Sequence, residues 1–142
     1  MRHFEDATIV GDRCYILNDV TIHHNCRVGL GDLNSTKSEY DTVICTGCCL
    51  NGFVSVRKGV ELGSGTFVRE YVSIGEGAMT AMQSYIVKDV MPFSKIVKNR
   101  YVGRSDNMIE KFEITESKLM DVCDKFKNKR SSRLNLYEES YD

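Results

Sequence analysis

The sequence predicts an all-β fold, a parallel β-helix, from the spacing of two classes of residue. Aliphatic residues recur every six positions, first from Val10 to Val28 and again from Ile44 to Ile86, where Thr80 is the one exception. A small or branched residue stands four positions after nearly every one of them, as Cys14 follows Val10. A helix has a period of 3.6 residues and an ordinary strand a period of two, so neither explains this pattern. The hexapeptide repeats of a parallel β-helix have this six-residue spacing.

Each six-residue unit is expected to form one flat face and one corner of a triangular coil. Three units complete a coil, so residues eighteen apart stack along the solenoid, and Ile44 should lie under Leu62 and Thr80. The aliphatic side chains fill the interior, and the small residues fit the tighter space near the corners. A single coil cannot bury its interior alone. Counted from Phe4, the repeats give about four coils.

The six-residue spacing is interrupted once, between Val28 and Ile44. The interval contains ten extra residues, 34–43, and most of them are polar. We expect a loop that protrudes at a corner of the solenoid. Such a loop is either a functional element on a rigid scaffold or a tolerated surface insertion, and the sequence leaves both readings open.

The solenoid is expected to occupy residues 1–103 and a C-terminal extension residues 104–142. Within the extension, apolar residues at helical spacing predict an α-helix near 115–130, with Thr115 as its N-cap. The tail from Ser131 onward is polar and is expected to be disordered.

Composition and charge set limits on function. The net charge of −1 gives no reason to expect binding to nucleic acid or to an anionic membrane. No apolar run is long enough to span a bilayer, and residues 1–6 lack the apolar core of a signal peptide, so we expect a cytoplasmic protein.

The six cysteines are expected to be structural free thiols. Cys45 and Cys48 have the spacing of a metal or redox pair, but Cys48 falls at the inward fifth position of its repeat, as do Cys14 and Cys26. A second pair that could complete a zinc site is missing from the sequence, so no metal is predicted.

One histidine has neighbours that suggest chemistry. His24 stands at the outward third position of its repeat, beside His23. The eighteen-residue register places Asp6 next to His24, and Gly52 follows one coil onward once the insertion is counted. A histidine, an orienting carboxylate and a backbone N–H are the groups that general-base acyl transfer requires. The alternative is an exposed histidine without a chemical role.

Four segments resemble one family of enzymes. They are residues 22–29, which contain the histidine repeat, and residues 46–56, 72–78 and 86–90. These segments are similar to those of the sialic-acid O-acetyltransferase and nucleotide-amino-sugar N-acetyltransferase group of hexapeptide acyltransferases. The resemblance implies a left-handed β-helix and a homotrimer with active sites between subunits. It further implies acetyl-CoA as donor and a sugar or nucleotide-linked sugar as acceptor.

The resemblance also assigns roles to residues. His24 would be the general base, and the Gly52 N–H would lie near the thioester. Acetyl-CoA would contact the backbone of the corner near residue 81 and basic side chains at the end of the solenoid; the residues concerned are Ala81, Met82, Lys98 and Arg100. The chain departs from the family at His23, where the family often has Glu, and at Asn25, where it often has Asp. The alternative function is a non-catalytic trimeric β-helix with a binding or structural role.

Overall fold

The six-residue spacing produces short strands separated by corners. The computed structural model describes residues 7–33, 39–129 and 134–137. Within those residues the strands, in chain order, are β1 (Ile9–Val10), β2 (Cys14–Ile16), β3 (Thr21–Ile22), β4 (Arg27–Leu30), β5 (Thr42–Ile44), β6 (Cys49–Leu50), β7 (Ser55–Arg57), β8 (Glu61–Leu62), β9 (Phe67–Val68), β10 (Ser73–Ile74), β11 (Met79–Thr80), β12 (Tyr85–Ile86), β13 (Ser94–Val97) and β14 (Arg100–Arg104). The helices are α1 (Asp106–Lys111) and α2 (Glu116–Lys129).

The strands form three sheets that wrap one solenoid of about four coils. Sheet A has the order β1-β4-β7-β10, sheet B the order β2-β5-β8-β11-β13-β14, and sheet C the order β3-β6-β9-β12. Every pairing is parallel except that of β13 with β14. Leu50 pairs with Val68, and Val68 with Ile86, so the eighteen-residue register is confirmed.

The interior is filled by the residues that set the repeat. The side chains of Ile44, Leu50, Leu62 and Ile74 are fully buried. Burying each of these side chains contributes about 1.5–3 kcal/mol to folding. Ile44 and Leu50 stack on aliphatic residues of the next coil, and Leu62 stacks on Thr80, so the coils stabilise one another.

The inward cysteines are free thiols, as predicted. Cys26 and Cys48 are buried, and Cys14 packs against the core from a half-buried position. Burial raises the pKa of the Cys26 and Cys48 thiols, because the thiolate would lose its hydration. Both are therefore protonated packing residues at neutral pH rather than reactive groups.

The predicted insertion ends earlier than the sequence suggests. Strand β5 begins at Thr42, which pairs with Cys14, so the prediction that the loop extends to Val43 is wrong at that end. The buried carboxylate of Asp41 holds the strand in place: its Oδ2 lies 2.7 Å from Arg13 Nε and 3.6 Å from Lys58 Nζ. Residues 34–38, the middle of the loop, lie outside the described residues.

The C-terminal extension contains one helix that was predicted and one that was not. Helix α2 begins after Thr115, whose Oγ1 accepts a hydrogen bond from the Lys118 N–H at 3.2 Å, which confirms the N-cap. Helix α1 was missed because its six residues are too short to show a helical period. In the described residues, no helix is long and apolar enough to cross a membrane.

The last described segment closes one end of the solenoid. The prediction of a disordered tail is wrong for residues 134–137, because Asn135 and Tyr137 form backbone hydrogen bonds with Asp89. The Tyr137 ring is buried against the core, and its hydroxyl accepts a hydrogen bond from the Val87 N–H at 2.9 Å. An aromatic ring thus covers the apolar end of the last coil. The remaining residues of the tail lie outside the described residues.

The stacked core predicts the effect of a single truncation. Leu62→Ala removes a fully buried side chain between two coils and should lower the free energy of unfolding by about 2–5 kcal/mol. Glu61→Ala, on the outward face of the same strand, is the control and should change it by no more than about 0.5 kcal/mol. Urea unfolding followed by circular dichroism measures both. Equal effects of the two substitutions would contradict this account of the core.

Candidate active site

His24 lies at the corner where the chain passes from sheet C to sheet A. The same corner recurs in the next two coils at Phe53 and Tyr71, and Asn25, Phe53 and Tyr71 all have left-handed backbones, with φ of 60°, 62° and 69°. Backbone hydrogen bonds join the turns: the Phe53 N–H donates to the His24 carbonyl, and the Tyr71 N–H donates to the Gly52 carbonyl, each at 3.1 Å. The repeat therefore fixes the position of His24 relative to the residues in the coils that follow.

The imidazole of His24 is exposed, and among the described residues its polar partner is the Asn25 side chain. Its Nδ1 lies 3.0 Å from Asn25 Oδ1. Since an amide oxygen only accepts hydrogen bonds, this contact favours the tautomer in which Nδ1 carries the proton. Nε2 then keeps its lone pair and can take a proton from a bound group. The Phe53 ring packs against the imidazole in a T-shaped arrangement with 5.3 Å between centroids.

Gly52 lies directly against the His24 ring. A Cβ at this position would stand 2.7 Å from His24 Cε1 and 2.8 Å from Nε2, so any larger residue would displace the imidazole. Among the residues that the structure describes, the Gly52 N–H has no backbone acceptor. The structure thus brings together His24 and Gly52, as the register predicts. A base and a backbone donor on adjacent residues of neighbouring coils can act on the same small group.

The carboxylate predicted to orient His24 is that of Asp6. Asp6, and Glu5 beside it, lie outside the described residues. The contact found at His24 Nδ1 belongs to Asn25, which stands where the family often has Asp. This contact could have been inferred from the sequence, because a residue that carries an acceptor oxygen directly after a histidine can reach back to the imidazole.

His23 has a different setting from His24. Its Nε2 lies 3.8 Å from the Cys49 Sγ on the outward side of sheet C. Its backbone N–H donates to the Leu50 carbonyl at 2.9 Å, as part of the ladder between coils. Gly52 therefore lies against His24 and not against His23.

The residues predicted to bind acetyl-CoA lie at a different corner of the chain. Ala81 and Met82 connect β11 to β12, where the chain passes from sheet B to sheet C. Exposed Lys98 lies at the turn between β13 and β14, and Arg100 begins β14. The width of sheet C separates all four from His24 within one chain.

The backbone of Ala81 is already engaged within the solenoid. Its N–H donates to the Ile96 carbonyl at 2.9 Å, and its carbonyl accepts a hydrogen bond from Ser84 Oγ at 2.7 Å. Met82 is the more accessible of the pair, with 67% of its surface exposed.

Two aromatic residues near His24 were not predicted from the sequence: Phe53 contacts the imidazole, and Tyr71 stacks on Phe53. The rings of Phe53 and Tyr71 stack with 4.9 Å between centroids and 8° between planes, and both are exposed. They could have been found from the sequence as two aromatic residues eighteen positions apart, at corners of a kind where the chain has Gly47, Gly59, Gly65 and Gly77. Within the described part of the chain, no group of three or more His, Cys, Asp or Glu residues is placed to hold a metal ion.

The chain is similar in sequence to curated acyltransferases. No protein-family model matches it. It is 28% identical over 114 residues to the acyl-[acyl-carrier-protein]–UDP-N-acetylglucosamine O-acyltransferase of Helicobacter pylori (strain Shi470), a match that covers 80% of this chain and 38% of the relative. The enzyme of the same name from Verminephrobacter eiseniae (strain EF01-2) is 32% identical over 101 residues, 71% of this chain and 35% of the relative.

A third relative has a different acceptor in its name. Serine acetyltransferase of Buchnera aphidicola subsp. Schizaphis graminum (strain Sg) is 25% identical over 89 residues, 63% of this chain and 29% of the relative. The chain therefore spans only about a third of the length of these curated relatives.

A solved structure confirms the fold. Arabidopsis UDP-N-acetylglucosamine acyltransferase superimposes with a TM-score of 0.60 at 15% sequence identity, over 96% of this chain and 50% of that chain. The left-handed β-helix predicted from the sequence is confirmed, and so is the resemblance to hexapeptide-repeat acyltransferases.

The contact between His24 and Asn25 yields a prediction about the imidazole itself. Asn25→Gly removes the acceptor oxygen, and glycine tolerates the left-handed backbone, so the corner should persist. We expect the His24 imidazole to change from mainly Nδ1–H to a mixture of tautomers, measured by ¹⁵N chemical shifts at a pH where the ring is neutral. Asp19→Gly, at a left-handed position on a different corner, is the control. An unchanged tautomer in Asn25→Gly would show that Asn25 does not orient the ring.

Proposed function

We propose that this chain, which resembles hexapeptide-repeat acyltransferases in sequence and fold, transfers an acetyl group from acetyl-CoA to a hydroxyl or amine of a sugar or nucleotide-linked sugar. The observation that carries the proposal is the contact of His24 with Gly52 on one side and with Asn25 on the other. Two of the relatives named above act on UDP-N-acetylglucosamine and one is a serine acetyltransferase, which supports both a sugar acceptor and an acetyl donor.

The proposed reaction uses three groups of this corner. His24 Nε2 takes the proton from the acceptor hydroxyl or amine as its oxygen or nitrogen attacks the thioester carbonyl. The Gly52 N–H donates a hydrogen bond to the oxyanion that forms. The carbon–sulfur bond then breaks, the coenzyme A thiolate leaves, and the imidazolium returns the proton to the sulfur. Asn25 holds the Nδ1–H throughout, so that Nε2 remains the reacting nitrogen.

A homotrimer would complete this site. Sheet C faces outward with half-buried Cys49 and two large exposed residues, Phe67 (45% exposed) and Tyr85 (50% exposed), whereas the outward positions of sheet A include Ser55 and Ser73. Exposed apolar surface of this kind favours association. Three copies that turn sheet C toward a common axis would bring the His24 corner of one copy against the Met82 corner of the next.

In this arrangement acetyl-CoA would lie between two subunits. The acetyl end would meet His24 and Gly52 of one copy. The nucleotide phosphates would meet the basic side chains Lys98 and Arg100 of the other, which are exposed on a single chain. Asp6 remains a proposed second orienting group for His24, and the cytoplasmic location stays a prediction.

The proposed chemistry predicts a specific loss of turnover. The assay follows release of coenzyme A from acetyl-CoA with a panel of nucleotide amino sugars, sialic acids and small hydroxyl acceptors. His24→Ala should lower turnover roughly a hundred- to ten-thousand-fold while acetyl-CoA binding, measured by calorimetry, is retained. His23→Ala is the matched control and should lose less turnover, and Asp6→Asn should lower activity by removing the proposed second orienting group.

Two results would overturn parts of this proposal. Near-normal turnover in His24→Ala, on an acceptor that the wild-type protein acetylates, would remove His24 as the base. If wild-type protein binds neither acetyl-CoA nor coenzyme A, the acyltransferase function fails and the non-catalytic β-helix replaces it.

The trimer gives a separate prediction. Tyr85→Lys places a charge on the proposed interface and should shift the mass measured by light scattering from trimer to monomer. Tyr15→Lys, which changes an equally exposed tyrosine on sheet B, is the control and should remain trimeric. A wild-type monomer, or a Tyr85→Lys protein that stays trimeric, would exclude sheet C as the interface.

A further inference from the structure

A cavity of about 120 Å³ lies between the outward face of sheet A and helix α2. Its lining carries hydroxyl groups, carboxylates and cations beside one aromatic ring, and it includes Ser55, Ser73, Arg57, Glu76, Phe126 and Lys129. A volume of this size holds several water molecules, so it admits a small polar part of a ligand. Pockets that combine apolar surface with a few convergent polar groups are typical ligand sites.

The sheet side of the cavity presents two serine hydroxyls. Ser55 begins β7 and Ser73 begins β10, and the two residues pair in register, so they stand on neighbouring coils about 4.8 Å apart. The residues that follow them, Val56 and Ile74, are fully buried, so the alternation of a strand turns both serines outward. Within the described residues, neither serine Oγ forms a hydrogen bond with another protein group. Since a hydroxyl both donates and accepts, each serine is free to bind a polar group of a ligand.

The helix side adds an apolar ring and a cation. Phe126 and Lys129 are three residues apart, so they lie on the same face of α2, and both line the cavity. The Phe126 ring is largely buried, whereas Lys129 is exposed. Beside them, Arg57 Nη2 lies 3.6 Å from Glu76 Oε2, a separation longer than a hydrogen bond that leaves both groups able to bind a further polar atom. The cavity therefore offers positive and negative groups at once.

The cavity lies on one side of the His24 corner, and the proposed donor residues lie on the other. Ser55 follows Gly52 by three residues, so at most about 11 Å separate their Cα atoms. The chain passes from sheet C to sheet A at this corner. Met82 and Lys98 lie across sheet C, whereas the cavity lies on sheet A. Two substrates can thus approach the imidazole from its two sides, the donor from the side of sheet C and the acceptor along sheet A.

We propose that the cavity between sheet A and α2 binds the hydroxyl groups of a sugar unit in the acyl acceptor, an inference that rests on the acyltransferase function proposed above. A sugar hydroxyl donates to a carboxylate such as Glu76 and accepts from a cation such as Lys129, so a cavity with both signs of charge suits it. The Phe126 ring offers an apolar contact for the C–H groups of the sugar. A free amino acid such as serine has a single hydroxyl, which reacts at His24, and has none left for the cavity. The cavity therefore selects a sugar over an amino acid.

The test compares substitutions inside the cavity with matched substitutions outside it. A double variant, Ser55→Ala with Ser73→Ala, removes both hydroxyls, and Ser117→Ala at an exposed position on α2 is its control. Lys129→Ala removes the cation, and Lys127→Ala is its control, because both lysines stand in the last turn of α2 but only Lys129 lines the cavity. Coenzyme A release gives kcat and KM for the sugars and nucleotide sugars of the panel above and for L-serine. Circular dichroism gives the Tm of each variant.

The expected result is a higher KM for the acceptor with little change in kcat. Wild-type protein should acetylate at least one sugar-containing acceptor. For that acceptor, the double serine variant should raise KM roughly five- to hundredfold and Lys129→Ala roughly three- to tenfold, because hydrogen bonds to the sugar are lost. The kcat and the KM for acetyl-CoA should change by no more than about twofold, since His24 and Gly52 are untouched. Both control variants should behave as wild type.

Three results would overturn the assignment of the cavity to the acceptor. They are an unchanged acceptor KM in both cavity variants, with or without a lower Tm, an equal rise of KM in cavity and control variants, and wild-type protein that binds acetyl-CoA but acetylates no sugar. Failure of the acyltransferase function is distinguishable, because wild-type protein then neither binds acetyl-CoA nor releases coenzyme A, and both proposals fall. If wild-type protein and all variants acetylate a sugar with the same KM, the cavity assignment fails and the acyltransferase function stands.

Discussion

The stacking of like residues between coils is the interaction on which the rest of this structure depends. Each short strand has only two to five residues and gains its stability from the strands above and below it. The same ladder that buries Leu50 against Val68 also fixes the corner residues, because a corner cannot move without moving the coil. His24 and Gly52 are close to each other for this reason. The contact between His24 and Gly52 arises from the repeat and needs no additional packing interactions.

The fold was predictable because its signal is repeated many times. A six-residue period is distinct from the helical and strand periods, and the pairing of Leu50 with Val68 follows from arithmetic alone. Features that occur only once in the chain were harder to predict. The six-residue helix α1 shows no period, and Tyr137 lies in a short C-terminal segment without a hexapeptide repeat, so the spacing does not predict its burial against the last coil.

The candidate site was predictable in part for the same reason. Register alone placed Gly52 beside His24, since both positions belong to the ladder. Asn25 was missed as the partner of the imidazole because a contact between adjacent residues depends on the left-handed turn between them, which the spacing does not encode. The distance of Met82 and Lys98 from His24 follows from the width of sheet C, and only assembly of several chains would overcome it.

The closed end of the solenoid has a consequence for how these molecules can meet. A β-helix that stops abruptly leaves unpaired N–H and C=O groups on its last coil, and such groups recruit strands from other molecules. Here the chain's own residues 135–137 pair with Asp89, and β14 folds back antiparallel onto β13. The chain itself thus occupies these parts of the terminal edge. End-to-end growth into filaments from this edge is therefore disfavoured.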